Sequence, residues 1–162
     1  LMQSGSIPLR PGVARLITEA HQAGFKLEIA STTTLEKATY LLRETMREEA
    51  QGWFDVLACG DIVPNKKPAP DIFLWALEQL GLSAAECIAI EDSGSGLASA
   101  LAAGLMTVVT VKGSTEGQYF TGAEVVLDGL GEPGKAMHVI AGRTNGSDWV
   151  NIGYLRWLAE DR

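Results

Sequence analysis

Strand-like and helix-like patterns alternate along the chain, and this alternation restricts the fold more than any other feature. Phe25–Ala30, Val56–Cys59 and Cys87–Ile90 have the length and apolar content of short strands, and helical spacing separates them. Strands that alternate with helices predict crossover connections, and therefore an α/β fold with a parallel sheet and helices on both faces. Further strands are predicted at Met106–Val111, Val125–Leu127 and Ala136–Ala141, and helices around Val13–Ala20, Ala38–Met46, Phe73–Leu80, Gly96–Ala103 and Trp149–Ala159.

Composition is consistent with one domain and argues against two classes of partner. The chain has 162 residues, of which 46% are hydrophobic, so it can bury a core, and we interpret residues 1–162 as a single domain. Its 20 acidic residues outnumber its 13 basic residues and produce a net charge of −7. Nucleic acids and anionic membrane surfaces both select basic faces, so we expect neither as a partner.

The chain contains two cysteines, Cys59 and Cys87, and each lies in an apolar run. A disulfide framework or a zinc site would need more cysteines. We therefore expect two buried free thiols. Such thiols are typical of a reducing compartment, so we predict a cytoplasmic protein.

Polar residues that follow the predicted strands are the candidates for a site, because ligands of such sheets bind outside the carboxyl ends of the strands. Ser31 and Thr32 follow the first strand and precede a helix, where hydroxyls and free amides can hold a phosphate. The alternative is that these hydroxyls cap the helix. Lys67 stands in a loop stiffened by two prolines, which predicts a lysine held at a fixed place. We interpret its neighbour Lys66 as a surface lysine.

Glu91 and Asp92 follow the third strand as adjacent carboxylates. Like charges at the end of an apolar strand repel each other, and a cation resolves the repulsion. Carboxylate oxygens suit Mg²⁺, so the pair is a candidate magnesium site. The alternative is that Asp92 and Ser93 are ordinary caps of the next helix. Together, a hydroxyl, a lysine and an acidic pair at successive strand ends predict a site for phosphate and magnesium.

Four segments of the chain resemble motifs of the haloacid dehalogenase (HAD) superfamily, and within it those of the CbbY-like and beta-phosphoglucomutase-like phosphatases. The matching segments are Ile7–Val13, Ile29–Thr34, Lys66–Asp71 and Ile90–Leu97. The first of them resembles the return from the cap to the core, and the others resemble the second, third and fourth motifs. The resemblance implies a Rossmann-like core and Mg²⁺-dependent hydrolysis of a phosphorylated sugar through an aspartyl phosphate.

The resemblance also implies a role for each candidate residue. Ser31 corresponds to the phosphate-binding hydroxyl, and its neighbour Thr32 stays a phosphate-binding candidate by its position before the helix. Lys67 corresponds to the family lysine, which is both catalytic and phosphate-binding. Asp92, assisted by Glu91, corresponds to the Mg²⁺ ligand.

One motif of the family has no counterpart in these residues. No Asp-x-Asp occurs in the chain, whereas in the family this motif follows the first strand and supplies the nucleophile and an acid/base. The helical cap that follows it in the family has no counterpart either. We therefore expect the core portion of a longer phosphatase, with weak Mg²⁺ binding and no activity by itself. The alternative is a degenerate, non-catalytic module that binds a phosphorylated ligand or a partner chain.

The missing motif also has a consequence for the sheet. In the family the first strand lies in the middle of the sheet, between the strands that correspond to Phe25–Ala30 and Cys87–Ile90. A gap there would leave buried backbone groups without partners, at a cost of about 1–3 kcal/mol each. We expect the gap to be filled by a strand from an N-terminal fragment, filled by a swapped strand in a dimer, or removed by closure of the sheet.

Overall fold

The fold alternates helices with short strands, as the sequence pattern predicts. The computed structural model describes residues 10–113 and 120–160, so residues 7–9 of the first matching segment lie outside the described part. The strands are β1 (Glu28–Ser31), β2 (Val56–Cys59), β3 (Ile88–Glu91), β4 (Met106–Thr110), β5 (Val125–Leu127) and β6 (Val139–Gly142). The helices are α1 (Val13–Gln22), α2 (Leu35–Thr45), α3 (Asp71–Leu80), α4 (Gly94–Ala102) and α5 (Ile152–Glu160), with short 3-10 helices at Glu48–Trp53 and Ala84–Glu86. Among the described helices, none combines the length and the apolar character that a bilayer crossing requires.

The strands form two separate sheets. β1 pairs with β2 in parallel, with Glu28 opposite Val56 and Ser31 opposite Cys59. The second sheet has the order β3-β4-β5-β6, in which β3, β4 and β5 run parallel. β6 is antiparallel to β5, so the expectation of a wholly parallel sheet is wrong at this edge. The physical reason is the connection between β5 and β6, which contains no helix to carry the chain back for a parallel crossover.

Helices cover both faces of these sheets, as predicted. Ile29 of β1 packs in a cluster with α2, whereas the next residue, Ala30, packs in a cluster with α3. In β4, Val108 packs with α1 and α5, and Val109 packs with α4. Because successive strand residues point to opposite faces, the strands are buried from both sides.

Two strand boundaries differ from the prediction in a way that matters for the site. β1 begins at Glu28 and extends through Ser31, and β3 extends through Glu91. Both polar residues are buried and remain in register with the neighbouring strand, opposite Cys59 and Val109. Ser31 and Glu91 are therefore the last residues of their strands rather than the first residues after them.

A cavity of about 620 Å³ separates β1 from β3. Helices α1 and α5 contribute to its lining, as does α3 from the other helix layer, and most of the lining is apolar. β1 and β3 are not paired with each other, and no strand of the described residues lies between them. Closure of the sheet around the gap, one of the three expected alternatives, is therefore wrong for the described part of the chain. Filling of the gap by a strand from elsewhere stays a prediction.

The two cysteines are free thiols, as predicted. Cys59 is buried, but Cys87 is only half-buried, which corrects the expectation for that residue. Burial raises the pKa of both thiols above the ordinary value. The protonated, poorly nucleophilic form of each is therefore favoured.

Candidate active site

Lys67 joins the carboxyl ends of β1 and β3. It lies in the loop before α3, and its ammonium donates to the carbonyl oxygen of Ala30 at 3.1 Å and to Oε1 of Glu91 at 2.6 Å. The side chain is 15% exposed, and its Nζ lies 5.0 Å from the centre of the Phe73 ring. These contacts hold Lys67 at one place between the two sheets.

The loop after β1 presents a series of hydroxyls. Ser31 is buried, and its Oγ accepts a hydrogen bond from the amide of Thr33 at 3.1 Å. Thr32 is exposed. The cap of α2 is Thr34, whose Oγ1 accepts from the amide of Lys37. The capping alternative for Ser31 and Thr32 is therefore wrong, and neither hydroxyl serves the helix terminus.

Thr33 is a polar residue of this loop that the sequence analysis did not single out. Its side chain is buried, and its Oγ1 has no hydrogen-bond partner among the described residues. Buried hydroxyls normally have a partner, so this one is available to a ligand group or to an adjoining segment. Its signal in the sequence is the run of four consecutive hydroxyl residues that begins with Ser31, the last residue of β1.

Glu91 and Asp92 have different environments although they are adjacent. Glu91 is 6% exposed, pairs with Lys67, and packs against Gly96. A Cβ on Gly96 would overlap the carboxylate of Glu91, so the second glycine of the Gly-Ser-Gly segment makes room for this acid. The Asp92 side chain is 24% exposed and forms an ion pair with Lys112 at 3.1 Å.

Asp92 is the residue of the site that can bind a metal ion. Ser93, not Asp92, caps α4, since its Oγ accepts from the amide of Gly96 at 3.1 Å. The partly exposed Asp92 carboxylate therefore has the oxygen donors that Mg²⁺ prefers. Within residues 10–113 and 120–160, no group of three or more His, Cys, Asp or Glu side chains is placed to share a metal. The residues present fit one carboxylate ligand of Mg²⁺ and not a full set.

Arg10 ties together strand ends near these acids. Its guanidinium donates to the carbonyl oxygens of Thr110, Val111 and Asp128 at 3.2, 2.6 and 2.9 Å. These acceptors lie at or just beyond the carboxyl ends of β4 and β5. Arg10 belongs to the first of the four matching segments, and within the described residues its contacts are structural.

Comparison with known sequences identifies the family of this chain. Residues 3–104 match the family model of the haloacid dehalogenase-like hydrolases. A CbbY protein of Cupriavidus necator is 47% identical over 155 residues, which cover 94% of this chain and 60% of that protein. The CbbY protein of Rhodobacter capsulatus is 48% identical over 124 residues, which cover 76% of this chain and 55% of that protein. The chain thus spans a little over half the length of these relatives.

Comparison with solved structures identifies the same relatives. The crystal structure of CbbY from Rhodobacter sphaeroides in complex with phosphate is 44% identical, with a TM-score of 0.72, and the match covers 76% of this chain and 55% of that one. A mutant of the same protein in complex with xylulose-(1,5)bisphosphate is 43% identical, with a TM-score of 0.71 over 77% of this chain and 56% of that one. Because the family model matches well over half of its residues, this CbbY-like chain belongs to the haloacid dehalogenase-like hydrolases.

Proposed function

We propose that residues 1–162 are the core domain of a cytoplasmic, magnesium-dependent phosphatase that acts on sugar phosphates. The observation that carries this proposal is Lys67, held between the ends of β1 and β3 by Ala30 and Glu91. The complexes of Rhodobacter sphaeroides CbbY with phosphate and with xylulose-(1,5)bisphosphate support a phosphorylated sugar as the ligand class. The free thiols support a reducing compartment.

In this proposal, Ser31, Thr32 and Lys67 bind the phosphate. An ammonium has three N–H donors, and the two contacts of Lys67 with Ala30 and Glu91 leave one for a phosphate oxygen. Oriented donors of this kind stabilise the charge on a transferring phosphoryl group. The hydroxyl of Ser31 and the exposed Thr32 lie at the end of the strand that carries Ala30, and so can bind the same anion.

Asp92 is the residue that would hold Mg²⁺, with Glu91 acting indirectly by fixing Lys67 in place. A bound Mg²⁺ supplies positive charge to the phosphate oxygens. Because Mg²⁺ needs a near-ideal octahedral set of ligands, one carboxylate should bind it weakly. The ammonium of Lys112, 3.1 Å from the Asp92 carboxylate, would compete with the metal for it.

The 162 residues contain no Asp-x-Asp, and for that reason we propose that the chain alone does not turn over substrate. Loss of a covalent nucleophile lowers the rate by about 10⁴-fold or more. The nucleophile would come from a strand that enters the gap between β1 and β3 and belongs to an N-terminal segment. The apolar lining of this gap from both helix layers supports a buried strand there.

A complementation assay tests this function. The chain is assayed for phosphate release from sugar phosphates, with Mg²⁺, alone and with a fragment comprising the part of Cupriavidus necator CbbY that this chain does not match. We expect the mixture to release phosphate and the chain alone to release none. Lys67→Met should abolish phosphate release by the mixture. Brisk, Lys67-dependent hydrolysis by the chain alone would overturn the proposed inactivity.

Two further measurements, of ligand binding and of light scattering, distinguish the alternatives. Tight binding of a sugar phosphate without turnover, in the mixture as well as in the chain alone, would instead indicate a non-catalytic binding module. Light scattering on the chain alone identifies a strand-swapped dimer. In a dimer formed by strand swapping, the donor of the strand would be a second copy rather than an N-terminal segment.

A further inference from the structure

Glu28 brings a carboxyl group into the cavity between β1 and β3. It is the first residue of β1 and lines that cavity. Its Oε1 is buried and has no hydrogen-bond partner among the described residues. Burial raises the pKa of Glu28 from 4.5 to about 7. Buried carboxylate oxygens normally accept a hydrogen bond from a donor. The described part of the chain does not provide one for Oε1 of Glu28.

The other charged side chains that line the cavity already have contacts. Glu91 pairs with Lys67, which lies outside the lining, and both act on Glu28 through their charges. At the rim, Lys26 donates to the carbonyl oxygen of Leu80, Glu86 accepts from Ser83, and Arg156 lies over the Phe25 ring.

The backbone of Glu28 also faces the gap. The carbonyl oxygens of Leu27 and Ser31 accept hydrogen bonds from the side of β2. Because successive residues of a parallel strand alternate between its two edges, the backbone groups of Glu28 and Ala30 point to the opposite edge. A strand that pairs with this edge therefore passes the Glu28 side chain at short range.

Given the proposed function, in which a strand fills this gap, we infer that the strand carries a basic side chain that contacts Glu28. A lysine or arginine would supply Oε1 with the donor that it lacks among the described residues. A strand buried between two helix layers is otherwise expected to be apolar, so this side chain is the exception in its sequence. The carboxyl group thereby selects the strand and fixes its register.

A binding experiment with synthetic strands tests this inference. The probes are labelled peptides of six valines with Ser-Gly flanks. In each peptide, one interior valine is replaced by lysine or by norleucine, which is an uncharged residue of similar shape to lysine. The replaced position moves through all the interior valines in turn. Fluorescence anisotropy at pH 8 gives the Kd for the wild-type chain and for the Glu28→Gln and Glu28→Leu variants. Glu78→Gln, an exposed glutamate of α3 that does not line the cavity, is the matched control.

We expect one lysine peptide to bind the wild type about tenfold or more tightly than its norleucine partner. The ratio of the two Kd values should be smaller in Glu28→Gln and should favour the norleucine peptide in Glu28→Leu. In Glu78→Gln it should be the same as in the wild type. Equal preferences in the wild type and Glu28→Leu would overturn the inference and leave strand filling intact. If no peptide bound in any register, strand filling and the inference would both be overturned.

Discussion

The ammonium of Lys67 lies 2.6 Å from Oε1 of Glu91 and bridges two sheets that share no strand pairing within residues 10–113 and 120–160. Its second acceptor, the carbonyl oxygen of Ala30, belongs to β1, whereas Glu91 ends β3. Lys67 therefore crosses the carboxyl end of the gap between the sheets. The same side chain that is proposed to bind phosphate thus also holds the two halves of the site together.

Replacing Lys67 by methionine should lower both stability and phosphate affinity. The change removes the partner of a carboxylate that is 6% exposed, and breaking a buried pair in this way costs about 3–5 kcal/mol. Urea denaturation measures the stability, and calorimetric titration with inorganic phosphate measures the binding. Lys66→Met is the control, since Lys66 is exposed, as predicted, and pairs only with exposed Asp61 among the described contacts. A Lys67→Met protein as stable as this control would contradict the bridging role.

Gly96→Ala should destabilise the chain because its Cβ would collide with the Glu91 carboxylate. Overpacking of this kind costs about 1–3 kcal/mol. Urea denaturation measures the loss, and a double-mutant cycle with Glu91→Ala tests its cause. The loss should be much smaller once the carboxylate is absent. Gly52→Ala is a suitable control, because no atom lies within 4 Å of a Cβ there and its φ is not positive. An equal loss in both backgrounds would show that Glu91 is not the obstacle.

Glu28 should make stability fall as the pH rises from about 4.5 to about 7. Burial raises the pKa of Glu28 to about 7, so in this window the folded chain retains a proton that the unfolded chain has released. The free energy of unfolding is therefore highest below pH 4.5 and falls as the pH approaches 7. The whole decrease amounts to about 3 kcal/mol at most. Urea denaturation between pH 4 and 8 should show this slope in the wild type relative to Glu28→Gln. Parallel pH profiles for the two proteins would contradict the prediction.

Lys112→Met should strengthen Mg²⁺ binding at Asp92. The ammonium of Lys112 lies 3.1 Å from the Asp92 carboxylate and competes with a divalent cation for it. Both side chains are partly exposed, so the expected gain in affinity is modest, about two- to fivefold. Calorimetric titration with MgCl₂ measures it, and Asp92→Asn should show no binding in either background. Weaker Mg²⁺ binding in Lys112→Met would indicate that the lysine supports the site instead.

The candidate site could be located from the sequence because its residues follow recognisable strands. Ser31, Lys67 and the Glu91–Asp92 pair lie at or beyond strand ends, and the topology of a parallel sheet brings such ends together. The separate environments of the two acids could not be predicted in this way. Burial of Glu91 against Gly96 and exposure of Asp92 depend on distances between elements rather than on the order of residues.

The helix caps and the direction of the edge strand β6 could not be predicted from the sequence either. Thr34 rather than Ser31 caps α2, because a cap depends on where the helix begins, and a run of four hydroxyl residues does not specify that point. The antiparallel direction of β6 likewise depends on how the segment between β5 and β6 turns, and neither strand's own sequence encodes it.

The sequence by itself determined the alternation of strands and helices, the motifs and the absence of an Asp-x-Asp, because each is a property of residue type and spacing. Only the tertiary structure decided that β1 and β3 stand apart across a cavity and that Lys67 bridges them. It also decided that a carboxylate oxygen of Glu28 lies buried at this cavity with no hydrogen-bond partner among the described residues. These features arise where segments distant in the chain pack together. Burial and charge then act across space on groups that the linear sequence does not bring near one another.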